Sequence, residues 1–241
     1  MPPSSAYGRA KNNISPSGYT SFGRSLEPQS LRQALTNQTT GHIFSHMSKR
    51  ELKKDHLLDA GLQVMATRGY NGTSIKDIVD AADVPKGSFY TYFKSKEDFA
   101  VEALEKVTEE RIQHNRHLLG NRSIPPLERL NRFFIDNIGE CDQGIKGGCF
   151  IGNMCQEMSD SSEVIRLKVR QMLRNNTQAI EDVLEEARLD GSLNSPIASA
   201  VLAEFLFNAW EGTLMRMKAS KCREPMNAFL MLLPEILGNR A

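Results

Sequence analysis

Residues 74–93 read SIKDIVDAADVPKGSFYTYF, two short helical segments around a break. Ser74, followed three positions on by Asp77, has the spacing of a capping box at a helix start. Ile75, Ile78 and Val79 recur at helical spacing and give that helix one apolar face. The break falls at Asp83-Val84-Pro85. Pro85 disfavours helical geometry in Val84, and aspartate is one of the few types besides glycine that tolerates the left-handed turn region. A second helix follows, with Pro85 suited to its first position and Phe89 and Phe93, four residues apart, turned inward.

The residues left over on the second helix are Lys86, Gly87, Ser88, Tyr90, Thr91 and Tyr92, with Lys94 and Lys96 just beyond. Cations and helix-terminal N–H groups suit phosphates, a glycine lets a backbone come close, and hydroxyls and tyrosines position or read bases. The same spacing also fits an ordinary pair of amphipathic helices with a solvated basic face.

The flanks separate these readings. KGSFYTYFKSKEDFAVEALE runs on into a long helix capped by Ser95, with Glu97 and Asp98 in its first turn. From about Arg50 to Glu105 the chain resembles the DNA-binding head of the TetR family of bacterial one-component repressors. The resemblance is carried by Thr73-Ser74-Ile75-Lys76-Asp77-Ile78, by Lys86-Gly87-Ser88-Phe89-Tyr90, and by Tyr92-Phe93 with Ser95-Lys96-Glu97. Asp83 departs from it, standing where the family usually carries glycine. The resemblance implies an all-α fold and a set of DNA-facing residues comprising Thr73, Ser74, Lys76, Lys86, Gly87, Ser88, Tyr90, Thr91, Tyr92, Lys94 and Lys96.

The totals set the frame. A chain of 241 residues accommodates one large domain or two modest ones. The net charge of +1 conceals an uneven distribution: Lys49, Arg50, Lys53, Lys54, Lys76, Lys86, Lys94 and Lys96 crowd the head, and the acids gather later. No apolar run approaches the ~18 residues of a membrane span, and no apolar signal core opens the chain, so a cytoplasmic protein is expected. Four cysteines, Cys141, Cys149, Cys155 and Cys222, are too few and too unevenly placed for a disulfide scaffold.

Residues 1–46, rich in serine, asparagine, glutamine, glycine and proline, read as a disordered tail, with a basic arm along DNA as the other reading. Translation from Met47 is a further reading of the same tail. Residues 48–110 form the helix-turn-helix head, and 111–241 a helical regulatory and dimerisation part. The head opens with a helix from Lys49 to Gly69 whose stripe is Leu57, Leu58, Gly61, Leu62 and Met65. A fourth helix runs from Ser95 to about Leu119. After it come a stripe from Leu127 to Ile138, a loop from Cys141 to Gly148, a short apolar helix from Cys149 to Met158, and a long helix capped by Ser161 or Ser162.

The last two segments are apolar nearly all round. Pro196 to Lys218 carries Val201, Leu202, Phe205, Leu206, Phe207, Trp210, Leu214 and Met215, and Pro225 to Leu237 carries Met226, Phe229, Met231, Leu232 and Leu233. Such helices need cover on two sides. One chain supplies one side, so a two-fold homodimer through a four-helix bundle is expected, with two heads set about one DNA turn apart or more on a near-palindromic operator. The resemblance implies the same use of the C-terminal pair.

An input is also needed, and Gly147-Gly148-Cys149-Phe150-Ile151-Gly152-Asn153 is the candidate. A cysteine at a helix N-terminus favours thiolate. The segment resembles that of a TetR branch sensing electrophiles such as N-ethylmaleimide-like or acrylate-like compounds and reactive chlorine. In redox-sensing members a lysine late in the penultimate helix partners the cysteine, and Lys218 is the matching position. The other reading makes Cys149 a small buried hydrophobe. Sensing then falls to a pocket lined by Phe134, Met154, Trp210 and Glu211. No recognised metal-ligand spacing and no cofactor motif appears.

Three function classes follow: a ligand- or electrophile-responsive repressor, an enzyme using Cys149, and a helical interaction protein. The enzyme lacks a base, since no histidine follows His117. A DNA-binding dimer predicts steep salt dependence, which an interaction protein does not.

Overall fold

In the computed structural model, residues 48–144 and 148–237 are described, and all regular structure among them is helical. The helices are α1 (Lys49–Arg68), α2 (Ile75–Ala81), α3 (Lys86–Tyr92), α4 (Lys96–Leu119), α5 (Pro126–Gly144), α6 (Phe150–Met158), α7 (Glu163–Leu189), α8 (Ser199–Ser220) and α9 (Glu224–Ile236). The tail of residues 1–46 and Met47 lie outside the described residues, as does the side chain of Cys141.

Local chemistry sets the helix ends. Ser74 accepts from the Asp77 N–H while the Asp77 carboxylate accepts from the Ser74 N–H, which completes the capping box. Ser95 caps α4 through the Asp98 N–H, and Ser162, rather than Ser161, caps α7 through Ile165. Each such cap is worth about 1 kcal/mol. Gly69 ends α1 at φ 77°, and Asp83 adopts φ 53°, so the turn forms with aspartate in the left-handed region. Pro85 has extended ψ (146°) and stands before the helix, so α3 starts one residue later than the sequence suggested. The loop expected from Cys141 is also shorter: α5 continues to Gly144, because Glu140-Cys141-Asp142-Gln143 contains no breaker.

The head is built on Phe89, Phe93 and Phe99, whose ring centroids lie 5.0–5.9 Å apart. Gly61 lets α1 lie directly on this group, since a Cβ there would sit 2.5 Å from the Phe99 ring and 2.6 Å from Ile78. The same apolar cluster continues through Ile151, Met154 and Met158 of α6 into Ile165, Val169 and Met172 of α7. Residue 110, the end of the head as read from sequence, falls inside the continuous helix α4.

Two polar ties reinforce that continuity. Glu157, near the end of α6, accepts from the Asn71 N–H at 2.7 Å, and the Ser162 hydroxyl donates to Glu97 of α4. A second core lies between α5, α7, α8 and α9, around Phe134, Leu206, Trp210 and Phe229. Arg129, fully buried, donates to the Leu119 carbonyl and pairs with Glu186, satisfying the end of α4.

The outer faces of the last helices carry large apolar groups that nothing among the described residues covers. Phe205 is 53% exposed, Val201 58%, Met215 62%, Leu232 55% and Met231 75%. Among the described residues no helix is long and apolar enough to cross a membrane.

Candidate functional site

The sequence-predicted DNA face divides into presented and committed residues. Ser74, Lys76, Lys86, Gly87, Tyr90, Thr91 and Lys94 are exposed, and Ser88 is partly so. Tyr90 is 56% exposed although its ring meets Phe89 edge-on at 5.5 Å, so the core holds its base and leaves its hydroxyl outward. A Cβ placed on Gly87 would have nothing within 4 Å, which leaves that part of α3 open to a docking surface. The Thr91 hydroxyl turns back to the Gly87 carbonyl at 3.3 Å. Lys76 pairs with Asp80, which holds its ammonium above the ordinary lysine range.

Two predicted contact residues instead hold the head together. Thr73 is 1% exposed and donates its hydroxyl to the Gly69 carbonyl at 2.7 Å. The Lys96 ammonium donates to the carbonyls of Tyr70 and Thr73, both at 3.0 Å, and lies 4.1 Å from the Tyr70 ring centroid. Their polar atoms are spent on the turn between α1 and α2, whose carbonyls need donors. Tyr92 is half-buried beside Phe93 at the edge of the face.

Cys149 stands at the N-cap of α6, with its sulfur accepting from the Gly152 N–H at 3.5 Å. The helix start does not produce a thiolate. Burial pushes the thiol up to about 12, and the Glu211 carboxylate, hydrogen-bonded to it, adds to the effect. The Gly152 N–H and the Arg111 charge act the other way and are outweighed. Burial also raises Glu211 above the usual carboxylate range, opposed by its hydrogen bond with Cys149 and by Arg111. The sequence offered no sign of this grouping, because α4, α6 and α8 meet there from separate parts of the chain. Arg111 also donates to Asn137 of α5.

Lys218 lies over the same segment. Its stem would be 3.0 Å from a Cβ on Gly148, which adopts φ 71°, and its ammonium donates to Asn153 at 2.9 Å. It reaches the start of α6 through Asn153.

The suggested pocket residues pack against their neighbours. Phe134, Trp210 and Phe229 form a triangle with centroids 5.0–5.5 Å apart, and Met154 is buried in the other core. Of the four, Glu211 is the one that hydrogen-bonds Cys149. A cavity of about 460 Å³ lies elsewhere, between α4 and α7.

Comparison with known proteins gives matches to both halves of the described chain. Residues 57–103 match "Bacterial regulatory proteins, tetR family", and residues 126–233 match "Tetracyclin repressor-like, C-terminal domain". The HTH-type transcriptional repressor DhaR of Mycobacterium sp. (strain GP1) is 35% identical over 76% of this chain and 91% of its own length. The transcriptional regulator AcuR of Cereibacter sphaeroides is 32% identical over 84% and 89%. The crystal structure of reduced Escherichia coli NemR, 29% identical, superposes with a TM-score of 0.72 over 78% of this chain and 98% of that one.

Proposed function

Because this chain belongs to the TetR family of bacterial regulatory proteins, we propose that it is a dimeric repressor that grips a near-palindromic DNA operator and lets go when Cys149 is modified. The similar proteins are named as transcriptional regulators, and DhaR and NemR as repressors, which sets the enzyme reading aside. Residues 48–110 supply the DNA-binding head, and 111–241 the regulatory and dimerisation part.

The observation that carries this reading is the open face of α3. Tyr90 and Lys86 are exposed, Gly87 is uncovered, and the aromatic core behind them fixes their direction. The uncovered row on α8 and α9 supports dimerisation, since Val201, Phe205, Met215, Met231 and Leu232 gain most by meeting their own copies across a two-fold axis. Such a dimer sets two heads against successive major grooves.

Alkylation runs through the ionised fraction of Cys149, which is small at rest because burial and Glu211 hold the proton on sulfur, and the signal that follows is a matter of packing. The half-buried Cys149 sulfur lies against Gly152 and Glu211 at the start of α6, so an adduct on it presses on that helix start. Through Glu157 and Asn71, α6 touches the turn that holds α2. Release requires the adduct to favour the form with displaced heads, and the overfilled site supplies that difference.

The test is fluorescence anisotropy of the purified dimer on DNA from upstream of its own gene, with and without N-ethylmaleimide. The wild type is expected to bind with affinity that falls steeply with salt and to dissociate on alkylation. Cys149→Ser should bind equally well and resist the reagent. Release of that variant at the wild-type rate places sensing elsewhere, and a stable monomer without DNA preference removes the whole reading.

A further inference from the structure

The groove between α4 and α7 contains a polar atom that the fold leaves without a partner. Asn115 and Asn176 are each 6% exposed, and both line the 460 Å³ cavity. Asn176 donates its NH2 to the Met172 carbonyl at 3.0 Å, and Asn115 donates its NH2 to Asn176 Oδ1 at 2.9 Å. The orientation of this relay is forced. A main-chain carbonyl only accepts, so Asn176 must turn its NH2 to Met172, and its oxygen then requires the NH2 of Asn115. The Asn115 oxygen is left over, buried and without a donor.

Charged groups around it have hydrogen-bond partners of their own. Glu186 pairs with Arg129, Asp182 accepts from Gln178, and Arg111 donates to Asn137. Arg116, exposed on the groove wall, has no ion-pair partner among the described residues. Ile112, Leu119, Met172 and Val183 give the groove apolar surface, beside the amides of Asn175 and Gln178 and the carboxylates of Asp182 and Glu186. The volume falls within the roughly 300–1,000 Å³ of small-molecule sites.

We propose that this groove binds a small carboxylic acid carrying a hydroxyl group, with the hydroxyl donating to Asn115 Oδ1, the carboxylate on Arg116 and an apolar body between them. A buried acceptor without a donor is costly, so a ligand hydroxyl there gains more than it would on an open surface. Cys149 does not line the groove, and binding is measurable without DNA, so the proposal stands or falls independently of the repressor reading.

Isothermal titration of the full chain with 4-hydroxyphenylacetate and with mandelate, two placements of the hydroxyl, is the experiment. Phenylacetate lacks the donor, and methyl 4-hydroxyphenylacetate lacks the charge. At least one hydroxy acid is expected to bind saturably, at least tenfold tighter than phenylacetate. Asn115→Leu should erase that preference. Arg116→Gln should weaken the acids about tenfold and leave the ester unchanged. Cys149→Ser should bind like the wild type. Because Asn115→Leu also breaks the relay, circular dichroism accompanies it, and if it unfolds the deoxy control and the exposed Arg116 variant carry the test. The proposal is overturned if neither hydroxy acid binds at millimolar concentration. It is equally overturned if hydroxy and deoxy acids bind the wild type alike, which would mean that Asn115 Oδ1 holds only water.

Discussion

The helices α3 and α6 are both short, seven and nine residues, yet they end in opposite situations. α3 follows a proline, and its glycine faces nothing: a side chain at Gly87 would enter open space. α6 follows a left-handed glycine, Gly148, and its own glycine is hemmed in, because a Cβ on Gly152 would be 2.9 Å from the Glu211 carboxylate. The first helix is built to be met by something outside the chain, the second to be full. Substitutions on α3 should therefore change binding and spare stability, whereas those at the start of α6 should change stability and reactivity and spare the DNA face.

The largest effect expected from this contrast is on DNA. Lys86→Ala combined with Tyr90→Ala should cost about 3 kcal/mol of operator affinity, more than a hundredfold, and reduce the salt slope by about one, while the melting temperature stays within a few degrees. Anisotropy titrations at several salt concentrations with parallel calorimetry measure both, and a large loss of stability would break the contrast.

Next in size is the alkaline limb of stability. The folded thiol of Cys149 is held up to about 12, whereas the unfolded chain has the ordinary value of 9.0. A raised folded value favours the folded state fully below pH 9 and is lost as pH climbs toward 12, because only the unfolded chain then releases its proton. Between pH 9 and 11 the wild type should lose roughly 1 kcal/mol per pH unit more than Cys149→Ser in urea unfolding. Parallel curves for the two proteins would show that the thiol is not held by its surroundings.

The smallest effects come from the two glycines, and their signs should differ. Gly87→Ala should stabilise the chain by about 0.5 kcal/mol, since alanine is the better helix former and meets no neighbour. Gly152→Val should destabilise it by about 1–2 kcal/mol and speed alkylation of Cys149, because Glu211 must leave the thiol to make room. Equal signs at the two positions would erase the distinction drawn between the helices.

The same contrast separates what could be read from the amino-acid order from what could not. The capping box of Ser74 and Asp77, the left-handed Asp83 and the stop at Gly69 are local, so neighbouring residue types specify them. The exposed face of α3 follows because Phe89 and Phe93 are apolar at fixed spacing and the remaining positions must look outward. Thr73 and Lys96 looked equally suited to phosphate, and only the fold shows that the carbonyls of Gly69, Tyr70 and Thr73 claim them. At Cys149 the local signal, a helix start, favoured ionisation. Burial and Glu211, sixty-two positions away in the chain, reverse it. Phe134 and Trp210 similarly became core once Phe229 was placed against both.

The hydrogen bond from Asn71 to Glu157 turns α6 into a lever. Its nine residues make a rod about 13 Å long, pivoting near the sulfur at one end and fastened to the head close to the other. A tilt of about 10° at the pivot swings the far tip by about 2 Å, nearly half the rise of one helical turn. Under the proposed sensing step, an ångström-scale disturbance at a single sulfur would arrive at the head as a stride long enough to misalign a side chain with its base step, without a long relay through the interior.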